Sequence, residues 1–165
     1  MKGAAVLEVK AVNYQNPVDA KLLVELLNGY ACDPLGGETP LRDDVKANLA
    51  KRMENVPGAY SFIAFLNGEA VGLLNAFTGF STFNAAPLIN IHDVYVKSEA
   101  RGQGAVDGLF AAIEEVAKAL GCCKITLEVL ENNPAAHKAY NRLGFAGYEL
   151  GGDGGHALFW QKSLK

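Results

Sequence analysis

The chain has 165 residues, half of them apolar and a fifth charged, with a formal net charge of -3. That length builds one domain with a real core, here expected to span 1–165, from an ordinary globular composition. The negative balance argues against a nucleic-acid-binding surface, and no apolar run reaches membrane-spanning length.

In chain order, residues 6–12 (VLEVKAV) alternate apolar and polar side chains as a half-buried strand does. Residues 17–27 carry a helical stripe of Ala20, Leu23, Val24 and Leu27, and residues 29–38 (GYACDPLGGE) read as a loop. Thr39 followed by Pro40 reads as the cap and first turn of a second helix. Its stripe is Leu41, Val45, Leu49 and Met53, with Asp43 and Asp44 early and Lys51 and Arg52 late, as the helix dipole favours. Asn67-Gly68 between two apolar runs predicts a two-residue hairpin turn. Residues 88–96 and 124–130 read as strands, joined by an amphipathic helix over 104–120 that Gly121 closes. Asn133-Pro134 opens a short helix that Gly144 ends, and two strands, near 146–150 and 156–163, close the chain around GGDGG. The two strands joined through a helix should be parallel neighbours, and the hairpins make the rest antiparallel. The expected fold is α/β of the α+β type, with a mixed, mostly antiparallel twisted sheet flanked by helices.

Cys32, Cys122 and Cys123 are odd in number and lack C-x-x-C spacing, so reduced thiols in a cytoplasmic protein are expected. Residues 1–8 lack the long apolar region of a secretory leader. No grouping of His, Cys and carboxylates suggests a metal.

The segment RGQGAV, Arg101 to Val106, places two glycines where a strand hands over to a helix. A helix start exposes backbone N–H groups and the positive end of the dipole, which suits a phosphate group. A plain tight turn explains the glycines equally well. Asp107 stands where a dinucleotide G-x-G-x-x-G needs its third glycine, and the Gly-Lys-Ser/Thr phosphate loop is absent.

Two blocks carry a wider resemblance. Val94-Tyr95-Val96 leads into Arg101-Gly102-Gln103-Gly104-Ala105-Val106, and Asn133-Pro134-Ala135-Ala136-His137-Lys138-Ala139-Tyr140 leads into Gly144-Phe145. With Leu127-Glu128-Val129 between them, residues 88–145 resemble the core of the GNAT superfamily of acetyl-CoA-dependent N-acetyltransferases. The resemblance implies a central parallel strand pair splayed for the cofactor. It also implies that the coenzyme A pyrophosphate rests on the backbone from Arg101 through Gly102, Gln103, Gly104 and Ala105 to Val106. The pantetheine arm would pair with the main chain at Val94, Tyr95 and Val96, with Asn133 close to it. Tyr140 would protonate the departing thiolate, and its other reading is a core aromatic. Asn133 also reads as a helix cap. Val106 departs from the small residue of the family pattern. It either weakens cofactor binding modestly or marks a fold that has lost it.

Acetyl transfer to an amine needs a proton acceptor, an oxyanion donor (the backbone near Val94) and an acid for the thiolate. His92 and Glu128 are the candidate bases, although His92 also reads as a hydrogen-bonded sheet histidine. Asn90, His92 and Val94 share one face, with Asp93 opposite, unless a bulge intervenes. Asp93 and Asp33 are candidates for holding the acceptor. Together with Glu38 and Asp153 they give the variable segments an acidic cast, suited to a cationic small molecule or peptide amine, although acidic loops are also simply solvated. The expectation is an acetyl-CoA-dependent N-acetyltransferase acting by direct attack in a ternary complex. It uses no metal and has no nucleic-acid or membrane partner. The aromatics of residues 156–164 suit either a terminal strand or a homodimer contact. The alternative is a catalytically silent acyl-CoA-binding or interaction module.

Overall fold

The computed structural model describes residues 5–148 and 159–164. The chain falls into two units, Met1–Glu128 and Val129–Lys165. The first begins with β1 (Leu7–Ala11), α1 (Pro17–Cys32), α2 (Asp43–Met53), β2 (Ala59–Leu66), β3 (Glu69–Ser81) and β4 (Ala86–Val96). A 3-10 turn over Ser98–Ala100 then leads into α3 (Ala105–Ala119) and β5 (Ile125–Leu127). The second unit contributes α4 (Pro134–Arg142).

The strands lie side by side in the order β1-β2-β3-β4-β5. The first three pairings are antiparallel and β4–β5 is parallel, as the connection through α3 requires. The β2–β3 turn is the expected Asn67-Gly68 pair, with φ of 52° and 83°.

Neighbouring residues of β3 show which helix covers which face. Leu73 packs in a core with Leu23 and Leu26 of α1 and Met53 of α2. A side chain on Gly72 would meet Leu109 of α3 at 3.3 Å. Successive strand residues point to opposite faces, so α1 and α2 cover one face and α3 the other. Leu23, Leu73, Leu109 and Ile113 are fully buried, each contributing about 1.5–3 kcal/mol of transfer free energy.

Three element boundaries differ from the expectation. The first helix runs five residues past Leu27, through Gly29, to Cys32. A Cβ at Gly29 would lie 3.1 Å from the Tyr95 ring, so this glycine admits an aromatic side chain rather than breaking the helix. The second helix starts at Asp43, with Arg42 as its cap residue. Thr39 instead closes the preceding loop, its N–H donating to the Ala31 carbonyl and its hydroxyl to the Gly37 carbonyl. The strand expected over 124–130 pairs only over Ile125–Leu127. Of the two closing strands, residues 146–148 and 159–163 are not in strands, and the remainder, with GGDGG, lies outside the described residues.

Candidate functional site

The β4–β5 ladder ends early. Ile89, Asn90 and Ile91 pair with Ile125, Thr126 and Leu127. The strand β4 continues to Val96 while β5 stops, so beyond Ile91 its outer edge has no strand partner among the described residues. The parallel pairing is therefore lost from His92, two residues before Val94. Val94 and Val96 stay paired to Leu74 and Gly72 of β3 on the inner side.

A bulge sits at the same place. Asn75 lies opposite Asp93 and Ala76 opposite Ile91, so His92 is an extra residue on β4. The His92 ring stands edge-on to Phe77, with centroids 5.1 Å apart. Asn75 Nδ2 donates to Asp93 Oδ2 at 3.0 Å. Asn75 and Phe77 are on the Leu73 face of β3, so His92 and Asp93 both point to the α1 face instead of opposite ones. Tyr95 packs on that face too, which leaves Val94 and Val96 toward α3.

Residues past the bulge build an acidic, aromatic surface. The rings of Tyr30 and Tyr95 lie 6.0 Å apart, tilted by 33°. Burial raises the Tyr30 phenol above its usual range, and the negative charges of Asp93 and Asp33 raise it further. Burial also raises the Tyr95 phenol, with Asp33 adding to the shift and Arg101 opposing it. Asp33 ends α1 with both carboxylate oxygens engaged: Oδ1 accepts from the Leu35 N–H at 3.0 Å and Oδ2 from Arg101 Nη2 at 2.7 Å. That carboxylate is an anchor for the loop, committed to partners within the protein.

The segment leading into α3 is built by its backbone angles. Gly102 and Gly104 have φ of 76° and 85°, the left-handed region that side chains disfavour, and nothing crowds Gly102. Gly104 occupies the cap position, and among the described residues no side chain caps α3. The N–H groups of Ala105 and Val106 lie in the first turn, where the helix supplies no acceptor. Val106 is half-buried and the helix starts regularly around it. Arg101 is fixed by its Nε to the Val96 carbonyl at 3.1 Å as well as by Asp33. Gln103 Nε2 donates to the Glu99 carbonyl.

Glu128, exposed just past β5, makes no side-chain hydrogen bond or ion pair among the described residues. In the second unit, Asn133 Oδ1 accepts from the Ala136 N–H at 3.1 Å, so the capping role is present. The Tyr140 ring lies 6.1 Å from that of Phe145, and the Phe145 N–H donates to the Tyr140 carbonyl. The His137 Nε2 lies 3.1 Å from the Leu130 carbonyl oxygen. Asp153 lies outside the described residues. Among the described residues, no group of three or more His, Cys, Asp or Glu can hold a metal ion, and no helix is long and apolar enough to cross a membrane.

Three residues of the Asp93 face belong to no motif in the sequence. Tyr14, Ser61 and Asn75 form a hydrogen-bonded line ending at Asp93. The available signal was a polar residue inside each of two apolar runs, Ser61 in AYSFIAF and Asn75 in VGLLNAF.

The chain is similar to known proteins over most of its length. It is 29% identical over 133 residues to the uncharacterized N-acetyltransferase YhfO of Bacillus subtilis (strain 168), covering 77% of this chain and 83% of that protein. Its fold matches the crystal structure of the aminoglycoside acetyltransferase meta-AAC0020 from an uncultured soil metagenomic sample. There the TM-score is 0.76 at 18% identity, over 96% of this chain and 97% of the other. It also matches AAC(6')-Iy in complex with the bisubstrate analog CoA-S-monomethyl-acetylneamine, with a TM-score of 0.75 at 18% identity over 96% and 99% of the two chains. The model of the acetyltransferase (GNAT) family matches residues 23–145, a span that contains the bulge, the glycine turn and the Tyr140 block. The chain belongs to the GNAT acetyltransferase family.

Proposed function

We propose that this chain transfers the acetyl group of acetyl-CoA to a primary amine of a cationic small molecule or peptide, by direct attack in a ternary complex. The observation that carries this reading is the coincidence on β4 of a bulge, an unpaired outer edge and two polar side chains on one face. A pantetheine arm bears amides, and the edge from His92 to Val96 offers main-chain groups to pair with them. The uncapped start of α3 suits the pyrophosphate, bound by the backbone from Gly102 to Val106. Arg101 shapes that turn from the side, through the Val96 carbonyl and Asp33.

In the reaction, the neutral amine nitrogen attacks the thioester carbonyl. A C–N bond forms and the carbonyl electrons move to oxygen, where the N–H near Val94 stabilises them. The C–S bond then breaks. His92 takes the proton the nitrogen loses, and Tyr140 supplies one to the leaving sulfur, giving an amide and free coenzyme A. Asp93 holds the positive charge of the acceptor, and the Tyr30–Tyr95 pair supports it with aromatic faces. Glu128, exposed and unengaged among the described residues, is the second candidate base. A cationic acceptor agrees with the aminoglycoside acetyltransferases among the similar structures, since aminoglycosides carry several amines.

A screen of amines (a linear diamine, a polyamine, lysine, an aminoglycoside and a peptide amino terminus) for acetyl-CoA-dependent thiol release tests the reading. Steady turnover on one of them that collapses in Tyr140→Phe supports it. Acetyl-CoA binding without turnover on any amine supports the silent binding module instead.

A further inference from the structure

The sheet carries a line of polar side chains that the reaction as written does not use. Asn75 and Ser61 are only 2% and 3% exposed, in strands whose other buried residues are nearly all apolar. Ser61 Oγ donates to Asn75 Oδ1 at 2.6 Å. A serine hydroxyl has one proton, so the Tyr14 hydroxyl, 2.9 Å away, is the donor to Ser61. With its Oδ1 occupied as an acceptor, the Asn75 amide has one orientation, and its Nδ2 faces Asp93 Oδ2 at 3.0 Å. Every proton in the line then points toward Asp93, whose carboxylate oxygen is the acceptor at its end.

The place of this line is also informative. Asn75 is the β3 residue directly opposite Asp93, at the step where β3 and β4 shift register. A one-residue slip of that bulge would return His92 and Asp93 to opposite faces. The Asn75–Asp93 bond holds the register in which the two stand together.

We propose that Asn75, oriented by Ser61 and Tyr14, is a positioning residue that fixes Asp93 as the acceptor-binding carboxylate and pins the bulge that sets His92 beside it. This rests on the acceptor face described under the proposed function. Asn75 has no contact with substrate in this role. It acts through Asp93, and the alternative is a buried amide that matters for folding alone.

Steady-state kinetics on wild type, Asn75→Leu, Asp93→Asn and the double variant separate the two, using the amine of highest kcat/KM from the screen. Asn75→Leu raises the KM for that amine about tenfold, a coupling typical of bonded neighbours, and leaves the acetyl-CoA dissociation constant within about twofold. In the Asp93→Asn background the same substitution changes the amine KM by less than about twofold, because the charge it positioned is gone. Effects that multiply, or an amine KM untouched by Asn75→Leu alone, overturn the positioning role while the acceptor face stands. An amine KM unchanged in Asp93→Asn overturns the acceptor face and this role with it, as does silence of the whole amine panel. Should Asn75→Leu fail to fold, Tyr14→Phe removes a single hydroxyl at the far end of the line. It should raise the amine KM by about threefold in wild type and have no effect beside Asp93→Asn. Equal effects in both backgrounds overturn the proposal.

Discussion

Arg101 Nη2 donates to Asp33 Oδ2 at 2.7 Å while its Nε donates to the Val96 carbonyl, so one guanidinium joins the ends of α1 and β4 to the turn before α3. The Leu35 N–H is the main cause that holds the Asp33 carboxyl below the ordinary value of 3.8, with Arg101 adding to it and burial opposing it. A lowered folded value gives stabilisation that is complete above the ordinary value and is lost as pH falls through the folded one. Arg101 is half exposed and solvent screens the pair. Asp33→Asn therefore costs about 1 kcal/mol at neutral pH, from a modest ion pair and one weakened hydrogen bond. Thermal melts of wild type and variant should differ at pH 7 and converge as the pH falls below 3.8. A difference that persists undiminished through that window would show that the Asp33 charge is not its source.

Val106 sits in the first turn of α3, where the helix supplies no acceptor for its N–H, and it carries two methyls in place of a smaller side chain. Val106→Gly removes the methyls, at a helix cost of about 0.5 kcal/mol. Calorimetric titration should show the acetyl-CoA dissociation constant falling by about threefold, the gain from relieved crowding. Tighter binding by the valine protein would mean that the side chain helps to seat the ligand.

The base can be identified by pH. His92→Ala should lower kcat/KM by about 100-fold or more below the pKa of the amine, the range for a lost general base, and much less above it. Glu128→Gln is expected to be nearly silent, because nothing among the described residues holds that carboxylate in a fixed place. The opposite pattern assigns the base to Glu128, and a uniform loss across pH in His92→Ala indicates a binding role.

Asn133 caps α4 through its side-chain oxygen. Asn133→Ala should cost about 1 kcal/mol of stability, the usual value of such a cap. If the side chain also meets the pantetheine arm, the acetyl-CoA dissociation constant rises in the same variant, whereas Asn133→Asp keeps the cap and isolates the amide. Unchanged affinity in both variants leaves Asn133 with capping alone.

Much of the architecture was readable from local chemistry. The Asn67-Gly68 turn, the apolar stripe of α3 and the parallel pairing through it each follow from residues close in sequence, and all are present. What misled was long-range. Gly29 looks like a helix breaker until Tyr95, 66 positions away, is seen to need the space. Thr39 has the chemistry of a cap but spends it on Ala31 and Gly37. Strict alternation assigns His92 and Asp93 to opposite faces, and only the register across β3 reveals the bulge that unites them. Likewise Ser61 and Asn75 are single polar residues in apolar strands, and their line to Asp93 exists only once three strands lie side by side. The glycine turn was legible as a motif, yet its partner Asp33 lies 68 residues upstream.

The most direct measurement is a titration of the isotopically labelled full chain with acetyl-CoA, followed by amide proton–nitrogen correlation spectra. The largest shifts should fall on the N–H groups of Gly102 to Val106, with a second set at Val94 to Val96. Saturation that leaves those amides unmoved, or shifts concentrated elsewhere, would contradict a diphosphate seated at the start of α3.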